Sequence, residues 1–337
     1  MNKKIRNSNM ELLRITAMIM IIIYHITYHC VTDQISDMQY VGANIFSKPV
    51  FYKKLFLIEG VLPWGMLANS IFILISGYFL VERGKNVNLG NISQKLLLQL
   101  GTAAISLTLI SSVFYKIHLA GENTSVKTLS IIDFNYMSWF VGYYFIVVVI
   151  ACLFINNYIN KLDQTSYRNL LLVWLGLFSF MWSGNVLDNI GDGLRTIICG
   201  LFMFELGGYI KKYNPFDKIR TVVLILLIII TYGFIYLSYV NNVNDSIHEY
   251  IANSVTEPFS QPFIRFDNYG IIPVILSVTI FELFRRVKIK NSKIINFLGS
   301  STFMIYLVHD NEFWWNLWKE RDWISLLTDT SFGYCKM

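Results

Sequence analysis

The chain has 337 residues, of which 54% are hydrophobic and 15% charged, and its mean hydropathy is +0.48. A soluble domain carries nearer a quarter of charged residues, so this composition excludes an ordinary soluble fold and places the chain in a membrane. The net charge of +6 does not point to nucleic acid, because the basic residues fall in short loops between apolar runs rather than on a polar surface.

Apolar runs of spanning length, or close to it, recur at about 11–30, 61–81, 96–117, 139–156, 169–183, 194–210, 221–240, 269–284 and 297–314. They predict an all-α, polytopic transmembrane bundle of about nine spanning helices in one domain covering residues 1–337, since helices satisfy their own backbone in lipid and the runs do not alternate as barrel strands do. The basic start (Lys3, Lys4, Arg6) leads into an apolar run too long for a signal-peptide core and without a small-residue cleavage site, so the first helix is expected to stay attached. The connections alternate in charge. The N-terminus, 82–95, 161–168, 211–220 and 285–293 are basic, whereas the loop with Asp188 and Asp192 and the one with Asp245, Glu249, Glu257 and Asp267 are acidic. The first intervening loop departs from the pattern, with Lys48, Lys53 and Lys54 against Asp33 and Asp37. The positive-inside rule puts the N-terminus in the cytoplasm and, with an odd helix count, the C-terminus outside. The longest connections, 31–57 and 241–268, then face out, long enough to meet a sugar chain; aromatic residues near the helix ends read more simply as interfacial anchors. Cys30, Cys152, Cys199 and Cys335 have neither CxxC nor metal-ligand spacing and read as packing residues.

The first run, residues 10–30 (MELLRITAMIMIIIYHITYHC), carries Arg14 at one end and His25 well inside. Ionisable groups in hydrocarbon cost about 3 kcal/mol each on insertion scales and so demand a partner or a function. Eleven residues bring the helix back to nearly the same face, so both side chains can line one cavity, roughly 16 Å apart along the axis.

That arginine, ten residues, histidine spacing resembles the first transmembrane helix of the acyltransferase 3 family, membrane enzymes that acylate sugars of cell-surface glycans. The resemblance continues through residues 71–80 (IFILISGYFL), 138–144 (SWFVGYY), 204–210 (FELGGYI) and 297–311 (FLGSSTFMIYLVHDN). In order and spacing these motifs cover most of the chain. The resemblance implies a ten-helix bundle and an O-acetyltransferase moving an acetyl or other acyl group from cytoplasmic acyl-CoA to a hydroxyl of a surface or exopolysaccharide, or of its lipid-linked precursor. It also implies a multi-pass protein of the cell membrane. Acetyl-CoA enters as a substrate, with no cofactor permanently bound. Against the family pattern, the polar stretch 319–322 leads here only to a short tail, 323–337, so the chain is expected to lack the last helix.

Acyl transfer needs a base for the hydroxyl proton and a group to hold the donor. His25 suits the first task, because a neutral imidazole is cheaper in hydrocarbon than a carboxylate; the bland alternative is a histidine bonded to a neighbouring backbone. Arg14 suits the second, by binding phosphate or pantetheine oxygens, with a snorkelling arginine as its alternative. Glu11, one turn earlier, can pair with Arg14 on either reading. His29 shares the face of His25, but HITYH lacks the glutamate of a zinc motif, and no metal is expected; His29 is placed near the acceptor entrance. Asn69 and Ser76 are candidate donor or acceptor contacts, although Ser76 beside Gly77 reads equally as helix packing. Glu205 is a buried carboxylate expected to seek an arginine or histidine. His309, Asp310 and Asn311 end the last run and can orient His25 or bind glycan hydroxyls, unless they are polar simply because helix ends are.

Two other classes fit the bundle composition. In a transporter or flippase, His25 and Glu205 would relay protons, but no inverted repeat or pair of broken helices supports it. A membrane module that binds acyl-CoA or a glycan precursor without turnover is the other.

Overall fold

The computed structural model describes residues 6–36, 58, 60–82, 87–118, 139–180, 193–253 and 270–323. Cys335, the tail beyond Trp323 and most of the two long connections lie outside the described residues, as do Asp188, Asp192, Glu257 and Asp267. So do Lys48, Lys53, Lys54 and the start of the 138–144 motif.

Among the described residues the fold is all-helical. α1 (Ser8–Ile26) passes through a π-turn (Thr27–Val31) into α2 (Thr32–Ser36). Then come α3 (Trp64–Leu80), α4 (Leu89–His118) and α5 (Trp139–Ile150), which runs through a second π-turn (Ala151–Ile155) into α6 (Asn156–Ile159). They are followed by α7 (Gln164–Ser179), α8 (Leu194–Tyr213), α9 (Thr221–Asn253), α10 (Ile271–Arg286), α11 (Lys293–His309) and a short α12 (Glu312–Lys319). Within the described residues each predicted apolar run falls largely on a helix, the last being interrupted between His309 and Glu312. Among the described residues four segments are long and apolar enough to cross a membrane: Ser8–Gln34, Leu89–Val113, Trp139–Ile159 and Thr221–Ser238. The remaining five runs form helices of 16 to 20 residues.

Some boundaries differ from the predicted ones, for local reasons. α4 begins at Leu89, so Lys95 sits on a helix rather than in a loop. α7 starts where Asp163 accepts from the Ser166 N–H at 3.0 Å, an N-cap that enlists the polar turn ahead of the apolar run. α9 continues to Asn253, because a long helix already nucleated propagates through a polar stretch free of glycine and proline.

α3 is the hub, packed between α8 on one side and α1 and α10 on the other. Small residues make this possible. A Cβ on Gly77 would lie 1.7 Å from the Phe204 carbonyl oxygen, and one on Gly207 would lie 2.2 Å from the Leu74 oxygen. Lipid supplies no hydrophobic drive between helices, so such backbone approach is what binds α3 to α8. α4 and α9 lie at the periphery, with Leu97, Leu98, Ile105, Val222, Ile229 and Ile230 exposed for lipid.

α1 and α11 run parallel and are tied at their starts, where Ser8 Oγ bonds Asn296 Oδ1 at 2.9 Å and accepts from the Ser292 N–H at 3.0 Å. At the same end Arg285 reaches Asn214 Oδ1 at 3.1 Å, Arg286 the carbonyls of Phe216 and Ile219 at 2.6 Å, and Lys212 the Asn160 carbonyl at 3.3 Å. The N-terminal stretch and the connections around residues 160, 214 and 288 therefore meet on one face of the bundle, which we call the basic face. Cys30, Cys152 and Cys199 are buried free thiols.

Candidate active site

α1 positions groups at two depths. On the basic face, Arg14 Nη1 donates to Glu11 Oε1 at 2.9 Å, and Arg6 Nη1 reaches the same oxygen at 3.4 Å. Glu11 is nearly fully buried, and its other oxygen lies against Gly299 of α11, where a Cβ would sit 2.5 Å away. Burial of a carboxylate here is tolerable because two guanidinium groups face it. The pair fixes the direction of Arg14, which lines a cavity of about 280 Å³ walled by α1, α3, α4, α5 and α11. Arg6, Arg14 and Lys95 surround its mouth, and among the described residues no acidic side chain lines it. Its inner wall is apolar and aromatic, formed by Ile21, Phe72, Phe140 and Tyr306. Ser76 lies in this wall, its hydroxyl 3.0 Å from the Tyr144 hydroxyl and 2.9 Å from the Phe72 carbonyl.

Beyond that inner wall stands the second group. His25 Nδ1 lies 3.1 Å from His309 Nε2 and 3.3 Å from Asp310 Oδ1, and the two imidazole rings stack at 5.2 Å. His309 Nδ1 faces the Ile305 carbonyl at 3.0 Å. These partners assign the tautomers of the neutral rings. A carbonyl only accepts, so His309 carries its proton on Nδ1 and leaves Nε2 bare; His25 Nδ1 must then be the donor, shared between His309 Nε2 and the Asp310 carboxylate. The lone pair of His25 Nε2 is left for another partner. Tyr306, one turn before Asp310, lines the cavity with its ring and meets the His309 ring edge-on at 5.7 Å. His29 lies within the π-turn and stacks on Trp315 of α12, with ring centroids 3.8 Å apart. α12 is held over this end because Lys319 pairs with Asp33 at 2.8 Å and Gln34 bonds the carbonyls of Lys319 and Arg321.

The structure thus brings together Arg14 with Glu11 and, separately, His25 with His309 and Asp310; Ser76 lies on the wall between. Three sequence candidates stand apart. Asn311 caps α12, its side chain accepting from the Trp314 N–H at 3.3 Å. Asn69 is buried on α3 and does not line the cavity. Glu205 does not find the arginine or histidine expected of it: Tyr167 donates to its Oε2 at 2.9 Å, and Arg195 instead bonds the Phe178 carbonyl. A phenol serves a carboxyl group deep among helices because neither partner then needs a charge. Arg6, Lys95 and Tyr306 were missed. The loop assignment hid Lys95, and only the hydropathy-neutral tyrosine inside the 297–311 motif marked Tyr306. Among the described residues no group of three or more His, Cys, Asp or Glu could hold a metal ion.

A helical bundle with buried histidines and an aspartate above a cation-mouthed cavity defines the protein as a multi-pass membrane protein with an intramembrane polar centre. The chain belongs to the acyltransferase 3 family: the family model described as an acyltransferase domain matches residues 7–327. Comparisons with curated proteins and with solved structures each return no match. At the level of the family, the protein is a membrane acyltransferase.

Proposed function

We propose that the protein is an O-acyltransferase of the bacterial cell membrane, taking an acetyl or similarly short acyl group from cytoplasmic acyl-CoA to a hydroxyl of a surface polysaccharide or its lipid-linked precursor. The observation that carries this reading is the cavity that begins among Arg6, Arg14 and Lys95 and ends at Tyr306, whose ring meets the His309 that stands 3.1 Å from His25. A mouth of three cations with an apolar interior fits a ligand with a phosphate-rich head and a thin, weakly polar arm, which describes an acyl-CoA. By the positive-inside rule the basic face is cytoplasmic, which puts the mouth where the donor is.

On this reading Arg14, aimed by Glu11, binds donor oxygens. The acceptor hydroxyl approaches from the far side, past His29 and Trp315. His25 Nε2 takes the hydroxyl proton as the oxygen attacks the thioester carbonyl, and Asp310 stabilises the imidazolium that forms. Collapse of the tetrahedral intermediate breaks the carbon–sulfur bond, and the proton on His25 passes to the departing thiolate. The products are an O-acyl ester and free CoA, with nothing oxidised or reduced.

The test is ester acetate released by mild base from surface glycan of cells carrying the wild type, His25→Ala or an empty vector. Acetate with the wild type that vanishes in the variant, at equal membrane expression, is expected. Equal acetate in wild type and variant would remove His25 from the chemistry. CoA release from acetyl-CoA that does not depend on acceptor would favour hydrolysis over transfer.

A further inference from the structure

Trp315 on α12 is 7% exposed, and its indole Nε1 is buried with no hydrogen-bond partner among the described residues. An indole N–H only donates, and a buried one ordinarily finds an acceptor. Its ring stands at the His25 end of α1: it stacks on His29, 19° from parallel, and meets the His25 ring edge-on at 6.4 Å. One oxygen can bridge two rings at that spacing, bonded to a nitrogen of each. His25 Nε2 there lacks a donor and Trp315 Nε1 lacks an acceptor, and a hydroxyl group supplies both.

The helix that carries Trp315 is hinged at one end and fastened at the other. Between α11 and α12 stand Asp310 (φ −94°, ψ 72°) and Asn311 (φ −153°, ψ 161°), two residues off the helix that can absorb a rotation and leave α11 in place. The far end is tied to α2: Lys319 Nζ meets Asp33 Oδ2 at 2.8 Å, Gln34 Nε2 donates to the carbonyls of Lys319 and Arg321 at 3.2 and 2.7 Å, and the Trp323 N–H donates to Gln34 Oε1 at 2.9 Å. The ion pair is exposed, so water competes for it, and Gln34 is the main fastening.

We propose that α12 closes over a binding site for a sugar, in which the Trp315 indole N–H donates to the hydroxyl whose proton faces His25 Nε2, and that release of Gln34 lets α12 swing about Asp310 and Asn311 to admit it. Acylation of that hydroxyl rests on the acyltransferase reading above; binding does not. A sugar suits the place because the free groups are one donor edge and one neutral acceptor edge, both on flat rings that can cover an apolar C–H face.

The experiment uses the full chain in lipid nanodiscs with ¹⁵N-indole-labelled tryptophan, and as probes the methyl glycosides of glucose, galactose, mannose and N-acetylglucosamine, each raised to its solubility limit. Replacing Trp315 by 3-benzothienylalanine keeps the shape, puts sulfur where the N–H was and identifies the Trp315 signal by its loss. That indole proton is expected to move downfield and saturate with at least one glycoside, and to exchange with water about tenfold faster in Gln34→Ala. Trp314 is the control, since its Nε1 is also buried and unpartnered but its ring packs on Phe313; its signal should stay put. In the acetate assay on cells the same replacement at Trp315 should cut glycan acetate about tenfold, the scale of one lost hydrogen bond, with the acetyl-CoA KM within about twofold, and at Trp314 should change neither. No shift at Trp315 with any glycoside would overturn the proposal, as would equal losses at the two tryptophans, the mark of packing alone. Exchange at Trp315 unmoved by Gln34→Ala would overturn the swing of α12. If Trp315 responds to sugar while the wild type transfers no acetyl, the acyltransferase reading fails and the binding site stands.

Discussion

A neutral imidazole placed deep in a bundle does little unless its proton is told which nitrogen to occupy. Here the Ile305 carbonyl fixes His309, and His309 with Asp310 fixes His25, so a chain of single-purpose acceptors decides the tautomer. Asp310→Asn keeps the shape but offers His25 an ambiguous partner, and acyl transfer is expected to fall roughly tenfold to a hundredfold, against a larger loss for His25→Ala. Initial rates on membranes of equal content check this. At the mouth the cations differ in weight. Arg14 is half-buried and held by Glu11, so Arg14→Ala should raise the donor KM by about tenfold or more, the scale of a charge-assisted hydrogen bond. Lys95 is exposed, and Lys95→Ala should raise it only about threefold, an effect that disappears at high salt. A KM that ignores both substitutions would move the donor elsewhere.

The elements are held in place by what their surfaces lack. Where α3 crosses α8, Gly77 and Gly207 let each backbone touch the other, and alanine at either position places a methyl inside a carbonyl contact. Gly77→Ala is expected to cost about 3 kcal/mol or more, seen as a lower midpoint of thermal aggregation in detergent. Gly101→Ala, on α4 with open space around its Cβ, should instead stabilise by about 0.5–1 kcal/mol through helix propensity. Equal effects at the two sites would contradict the close crossing. The π-turn after Ile26 belongs to this scale as well, since it adds a residue to the first helix just where His29 turns to meet Trp315.

For the whole molecule, the basic connections gather on one face, while α1 and α9 carry the chain to the other. Single cysteines at Lys290, exposed on the basic face, and at Asn241, twenty residues along α9, report on the orientation. In a background with Cys335→Ser, a membrane-impermeant thiol reagent added to intact cells should label Asn241→Cys and leave Lys290→Cys untouched until the cells are opened. The reverse pattern would put the donor mouth outside and defeat the use of cytoplasmic acyl-CoA.

The residues alone determined that this is a helical membrane protein, because runs such as 221–240 have no other way to satisfy their backbone in lipid. They also singled out Arg14 and His25, since an ionisable group in an apolar run stands out against its neighbours whatever the fold. Pairing was not legible to the same degree. Glu11 with Arg14 could be read because three residues on a helix are neighbours by periodicity, whereas Glu205 with Tyr167 could not, because their contact depends on how α7 leans on α8. The same limit applied at the far end: a polar sequence, His309-Asp310-Asn311, is equally a solvated helix end or part of a buried centre. Only the parallel packing of α11 on α1, with Glu11 seated against Gly299 and Ser8 tied to Asn296 at the start, brings its first two residues to His25 and leaves the third to cap α12.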